Sequence, residues 1–157
     1  MSDITLTIDG IQIKGKPGQT ILQAADDAGI YIPRLCYHPE LCAHGSCRVC
    51  TVIVNGKPQT ACTQPVADGM IIENDTPELK EHRRNIIDML FVEGNHMCMF
   101  CERSGNCELQ ALAYRLEILA PKYPYFFPDK PVDSSHRDIF IDLNRCILCG
   151  RCVNASK

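Results

Sequence analysis

Apolar and polar residues alternate at the start of the chain. Ile4, Leu6 and Ile8 share one face of a predicted strand, and Ile11 and Ile13 continue on a second. Asp9-Gly10 between them is a two-residue hairpin signal. Thr20, with Gln23 three residues on, has the form of a capping box, so a short helix is expected there, ending at Ala28-Gly29. Val52 and Val54 predict a further strand that turns back at Asn55-Gly56 through Lys57-Pro58-Gln59, and a last one covers Met70 to Glu73. Two hairpins, one helix and an irregular excursion make a small β-grasp-like sheet.

The period then changes. Thr76-Pro77-Glu78 places a hydroxyl N-cap, a proline at the first helical position and an acid in the first turn. Leu79, Ile86, Ile87, Leu90 and Phe91 form the apolar stripe of the helix that follows, and Gly94 ends it. Lys80, Glu81, Arg83, Arg84 and Asp88 are expected on its solvated face. A second helix is expected after Cys107, burying Leu109, Leu112, Ala113 and Leu116. From Pro121 to Pro131 the prolines exclude a helix. The aromatics Tyr123, Tyr125, Phe126 and Phe127 in this stretch either pack inward or face a partner. Ile139 to Leu143 reads as a short strand. The expected class is α+β, with domains at 1–75, 76–135 and 136–157.

Composition narrows the function classes. Of the 157 residues 45% are hydrophobic, which suits a globular chain, and the net charge of −3 without a basic run argues against nucleic acid and anionic membranes as partners. No export signal opens the sequence and no apolar stretch approaches the ~20 residues of a membrane span, so a cytoplasmic protein without membrane insertion is expected. There is no glycine-rich phosphate loop and no acid–base or nucleophile constellation, so no substrate chemistry is expected on this chain.

Eleven cysteines, an odd number, favour reduced thiols holding metal over a secreted disulfide framework. Cys36, Cys47, Cys50 and Cys62 are spaced C-x10-C-x2-C-x11-C. One short pair with two flanking cysteines follows the logic of a four-thiolate 2Fe–2S cage, whereas a zinc ribbon wants two C-x2-C knuckles. Cys42 is left over and reads as a small buried hydrophobe; His38 and His44 read as polar loop residues. His96, Cys98, Cys101 and Cys107 form H-x-C-x2-C-x5-C, one thiolate short of a 4Fe–4S cage, with an imidazole available as the fourth ligand. Cys146, Cys149 and Cys152 are three quarters of a bacterial ferredoxin run, but Ser156 stands where its fourth cysteine is called for. This last 4Fe–4S site is incomplete as written. It takes a ligand from elsewhere, holds a three-cysteine cluster or is empty, and its closeness to the end of the sequence suggests a fragment of a longer subunit.

Cys36-Tyr37-His38-Pro39-Glu40-Leu41, with Gly45-Ser46-Cys47-Arg48-Val49-Cys50, resembles the N-terminal iron–sulfur module of the complex I large subunit. It is similar also to the diaphorase iron–sulfur subunit (gamma type) of NAD-reducing, bidirectional NiFe hydrogenases. Glu93-Gly94-Asn95-His96 through Cys107-Glu108-Leu109-Gln110 resembles the one-histidine, three-cysteine motif of both. In complex I the histidine commonly stands four residues before its first cysteine; here it stands two before, which resembles the hydrogenase subunit more, as does Asp142 through Cys152. The resemblance implies a β-grasp 2Fe–2S domain, a helical His/Cys-ligated 4Fe–4S domain and the start of a bacterial-ferredoxin-like domain. It implies an oxidoreductase subunit within a hetero-oligomer. One partner would be a diaphorase subunit with FMN and NAD(H), the other the small and large subunits of a NiFe hydrogenase. The same module in complex I or an NAD-dependent formate dehydrogenase is the alternative within the class; a zinc-stabilised interaction module and an independent soluble ferredoxin are alternatives outside it.

Overall fold

The computed structural model describes residues 4–157. Two compact units share the chain: one comprises the residues up to His82 together with Gly150–Lys157, and the other is Arg83–Cys149.

In the first unit, β1 (Ile4–Ile8) and β2 (Ile11–Gly15) pair antiparallel from Ile4↔Gly15 to Ile8↔Ile11. The turn between them holds Asp9 at φ 49° and Gly10 at φ 82°, the left-handed pair that a tight hairpin requires. β3 (Thr51–Val54) and β4 (Lys57–Thr60) repeat the arrangement around Asn55 and Gly56. β5 (Ile71–Glu73) lies between the hairpins, parallel to β1 and antiparallel to β3, which gives the order β2-β1-β5-β3-β4. This mixed sheet with one helix across it is the expected β-grasp. The last strand begins at Ile71 rather than Met70.

That helix is α1 (Ile21–Asp27). The Thr20 side chain accepts from the Gln23 N–H while Gln23 Oε1 accepts from the Thr20 N–H, the reciprocal box the sequence signals. Two further first-turn donors are satisfied from a distance: the N–H of Ile21 donates to Gln64 O and that of Leu22 to Ala61 O, both at 2.9 Å. The helix start is thereby tied to the segment that carries Cys62. Leu6, Ile8, Ile21, Leu22, Val52 and Ile72 are the centre of one contiguous core that also takes in Cys50 and Cys62.

α2 (Pro77–Glu93) begins as expected, with the Leu79 N–H donating to Thr76 Oγ1 at 3.2 Å. In the second unit Ile87, Phe91 and Val92 of its C-terminal part are buried, as are Leu109 and Leu112 of α3 (Glu108–Arg115). The expectation of a solvated face fails at two residues: Arg83 is 2% exposed and Asp88 4%. For Asp88 the reason is that the chain beyond α3 returns along α2. Asp88 Oδ2 accepts from the Lys122 N–H at 3.2 Å, Arg84 Nε donates to Leu116 O at 2.6 Å, and the Phe126 N–H donates to Val92 O at 3.1 Å.

The proline- and aromatic-rich stretch forms neither helix nor strand, and its rings face outward, with Phe126 68% and Phe127 76% exposed. Only Ile141–Asp142 of the expected strand at Ile139–Leu143 is realised, as β7, paired with β6 (Val132–Asp133). A two-residue ribbon leaves Ile139 and Phe140 exposed. Among the described residues, no helix is long and apolar enough to cross a membrane.

Candidate iron–sulfur sites

Four cysteines are gathered in the first unit by different local devices. The β3–β4 register sets Cys50, just before β3, opposite Ala61, whose N–H donates to Cys50 O at 3.1 Å; Cys62 follows immediately. Cys36 and Cys47 come from the irregular loop between α1 and β3, which Ile32, Leu35 and Val49 anchor by burial. Within that loop the Cys36 N–H donates to Cys47 Sγ at 3.4 Å. Arg48 takes a left-handed φ of 61°, and the Val49 N–H also donates to the Cys47 sulfur. Gly45 turns the loop at φ 63°, close against Thr60 and Thr63.

The thiols stand as two hydrogen-bonded pairs, Cys36 with Cys47 and Cys50 with Cys62, and the other three all lie within electrostatic reach of Cys62. Hydrogen bonding from Cys47 holds Cys36 down at about 5 against its burial, and the bond from Cys62 likewise holds Cys50 at about 7. Their donors, Cys47 and Cys62, are pushed up by the same bonds and by burial. Four thiols that share charge this way, three of them buried, with backbone N–H groups already aimed at sulfur, match the donor set of a 2Fe–2S cluster. Among the described residues no three histidine, cysteine or acidic side chains converge on one point as a single metal ion requires.

Cys42 is exposed, not buried as its composition suggested. It lies in a stretch without regular structure that runs over the surface, so no core receives it. His38 Nδ1 accepts from the Glu40 N–H at 3.3 Å, a local turn bond.

In the second unit, a 3₁₀ turn at Cys98–Phe100 and the N-cap position of α3 at Cys107 bring Cys98, Cys101 and Cys107 within electrostatic range. Burial and then the other two thiols push Cys98 up. The neighbours of His96 are of another kind. Its ring meets Phe91 edge-on at a centroid distance of 5.8 Å and rests against Gly94. Burial first, then the charges of Arg145 and Lys130, lower its pKa and favour the neutral imidazole that iron ligation needs. Arg145, which pairs with Glu102 at 2.8 Å, acts on both His96 and Cys101 and so marks their common surroundings.

Gly94 gives this arrangement a sharp test. A Cβ there would stand 2.5 Å from His96 Nε2 and 2.9 Å from the backbone oxygen of Asn144. Gly94→Ala is expected to lose most of the 4Fe–4S signal while the 2Fe–2S signal persists. Full loading of both, read by low-temperature EPR on the reduced chain, would show that the imidazole position does not matter to the cluster.

Of the last cysteine group, Cys146 and Cys149 belong to the second unit and Cys152 to the first. The Leu148 N–H donates to Cys146 Sγ at 3.4 Å, with Leu148 at φ 52°; the bond from Val49 to Cys47 has the same two-residue offset.

Domain-level matches agree with the chemistry of these donor sets. Residues 2–77 match the 2Fe-2S iron-sulfur cluster binding domain and residues 83–121 the NADH-ubiquinone oxidoreductase-G iron-sulfur binding region. The protein is thus a tandem iron–sulfur protein carrying 2Fe–2S and 4Fe–4S centres. Over 150 residues, 96% of its length, it is 43% identical to the NAD-reducing hydrogenase HoxS subunit gamma of Cupriavidus necator. A crystal structure of NAD+-reducing [NiFe]-hydrogenase in the H2-reduced state superposes on 98% of the chain with a TM-score of 0.93 at 49% identity. The mitochondrial NADH-ubiquinone oxidoreductase 78 kDa subunit of Candida albicans is 32% identical over 98% of the chain. Over nearly its whole length the chain is thus similar to iron–sulfur subunits of NAD-reducing hydrogenase and of NADH-ubiquinone oxidoreductase. It spans 64% of the length of the Cupriavidus subunit, 65% of the chain in the crystal structure and 22% of the Candida subunit.

Proposed function

We propose that this chain relays electrons between an FMN- and NAD(H)-binding diaphorase subunit and the small and large subunits of a NiFe hydrogenase, in the cytoplasm, coupling H2 oxidation to NAD+ reduction. Cys36, Cys47, Cys50 and Cys62 would hold a 2Fe–2S cluster in the domain 1–75. His96, Cys98, Cys101 and Cys107 would hold a 4Fe–4S cluster in 76–135, and Cys146, Cys149 and Cys152 would supply three ligands of a further 4Fe–4S cluster in 136–157. When bound, such clusters accept and release single electrons with little change in their ligand geometry.

The observation that carries this reading is the set of four mutually interacting thiols on a β-grasp scaffold, in a chain whose likeness to a hydrogenase gamma subunit runs over nearly its whole length. The chain's own residues fix cluster position, limit water through burial at Cys50 and Cys62, and aim N–H groups at sulfur. The likeness to the Candida NADH-ubiquinone oxidoreductase subunit supports a second reading, the equivalent relay in complex I, and the identity of the co-purifying subunits separates the two.

Anaerobic iron and sulfide analysis of the isolated chain is expected to give about six irons, one 2Fe–2S and one 4Fe–4S, or about ten where the last cysteine group also assembles a cluster. Stoichiometric zinc without acid-labile sulfide would overturn the electron-transfer reading in favour of a structural metal.

A further inference from the structure

We infer that Arg151 is a positioning residue for the first cluster and raises its reduction potential through the peptide bond that precedes Cys36. The inference rests on the assignment of Cys36, Cys47, Cys50 and Cys62 to a 2Fe–2S centre.

Arg151 opens α4 (Arg151–Ala155), in the C-terminal segment that belongs to the first unit. Its Nη2 donates to Leu35 O at 2.5 Å and to Tyr37 O at 2.8 Å. These two carbonyls bracket Cys36, so one guanidinium grips the backbone on both sides of that cysteine. The same segment meets the loop at a second place. Asn154 Nδ2 lies 3.1 Å from His44 Nδ1, and a Cβ on Gly150 would come within 3.1 Å of His44 Nε2. The segment is therefore seated on the cysteine loop at residues 35–37 and again at residue 44.

The chemistry follows from the peptide unit. The Leu35 carbonyl and the Cys36 N–H belong to one amide, and that N–H donates to Cys47 Sγ. A cation bonded to the oxygen end polarises the amide and strengthens its N–H as a donor. The relay runs from guanidinium to Leu35 carbonyl, Cys36 N–H and Cys47 sulfur. Stronger donation to a ligand sulfur, together with a nearby positive charge, favours the cluster state holding the extra electron. Arg151 stands beside Cys152, so the residue that tunes the first cluster lies in the last cysteine motif. Order in that motif is then felt at the first.

The test is an EPR-monitored anaerobic redox titration of the holo chain and of Arg151→Gln and Arg151→Lys, with the 4Fe–4S signal as internal reference. In Arg151→Gln the reduced-to-oxidised ratio of the 2Fe–2S cluster at fixed poise is expected to fall about threefold to tenfold, tenfold being about 59 mV for one electron. Arg151→Lys keeps the charge but loses the planar fork, so it should fall between the two. Exchangeable-proton hyperfine coupling to the reduced 2Fe–2S cluster should weaken in the same order. A 2Fe–2S midpoint in Arg151→Gln equal to wild type would overturn the inference. Where Arg151→Gln does not retain the cluster, Arg151→Lys decides, and a wild-type midpoint there overturns it equally. Absence of any 2Fe–2S signal from the wild-type chain would instead remove the ligand assignment itself.

Discussion

If the chain serves the proposed hydrogenase assembly, hydrogen-driven NAD reduction by that assembly is expected to fall below detection when Cys98 is replaced by serine, while dye-linked activity on each proposed partner survives. Cys98 opens the 3₁₀ turn whose last N–H, that of Cys101, donates back to Cys98 O at 3.3 Å, and it shares its electrostatic surroundings with Cys101 and Cys107. With His96 these thiols are all that the proposed 4Fe–4S site has, so one loss leaves too few ligands. A hydroxyl does not replace the thiolate, because it does not ionise near neutral pH and is a hard oxygen where iron–sulfur chemistry calls for soft sulfur. Iron should drop by about four per chain, with sulfide falling in parallel. The partner reactions need no electron to cross this chain and should persist. Equal loss of the crossing reaction and of the dye-linked reactions would mean that Cys98 serves assembly alone.

The parts of this structure that were legible in the sequence are those set by neighbours along the chain. Asp9-Gly10 and Asn55-Gly56 announce their hairpins because few residue pairs tolerate two left-handed positions. Thr20 and Gln23 announce α1 because each supplies what the other's backbone lacks. The spacing of Cys36, Cys47, Cys50 and Cys62 singled out four thiols that interact with one another in the structure. What stayed hidden depends on partners far away in sequence. Arg83 and Asp88 belong to a run that reads as polar surface yet are buried, and at Asp88 it is the distant Lys122 N–H that meets the carboxylate. Cys42 has the composition of a core residue but lies in a stretch with no neighbour to cover it. Nothing near Cys36 hints that Arg151, more than a hundred positions on, holds the carbonyls around it.

Stripping the iron is expected to affect the two units very differently. The first unit has a core of fifteen mutually packed buried residues, two hairpins and a capped helix, and only Cys50 and Cys62 of that core belong to the proposed cluster site. Sheet pairing and burial there do not depend on metal, so the amides of β1, β3 and β5 should stay protected in the apo chain. The second unit has no comparable core. Its buried apolar residues come from α2 and α3, its single ribbon is two residues long per strand, and Phe126, Phe127, Phe140 and Leu148 are exposed. A module so poor in apolar burial needs a cross-link, and the proposed 4Fe–4S cluster would supply one by joining His96 to Cys107 across a loop of turns. Hydrogen exchange read by mass spectrometry, before and after anaerobic chelation, should show residues 95–149 moving toward the rates of an unfolded chain while the strands of the first unit slow exchange as before. Equal protection of 95–149 with and without iron would mean that helix packing and the hydrogen bonds of Asn95 and Asn144 hold the second unit, and that its cluster is a passenger on a finished fold.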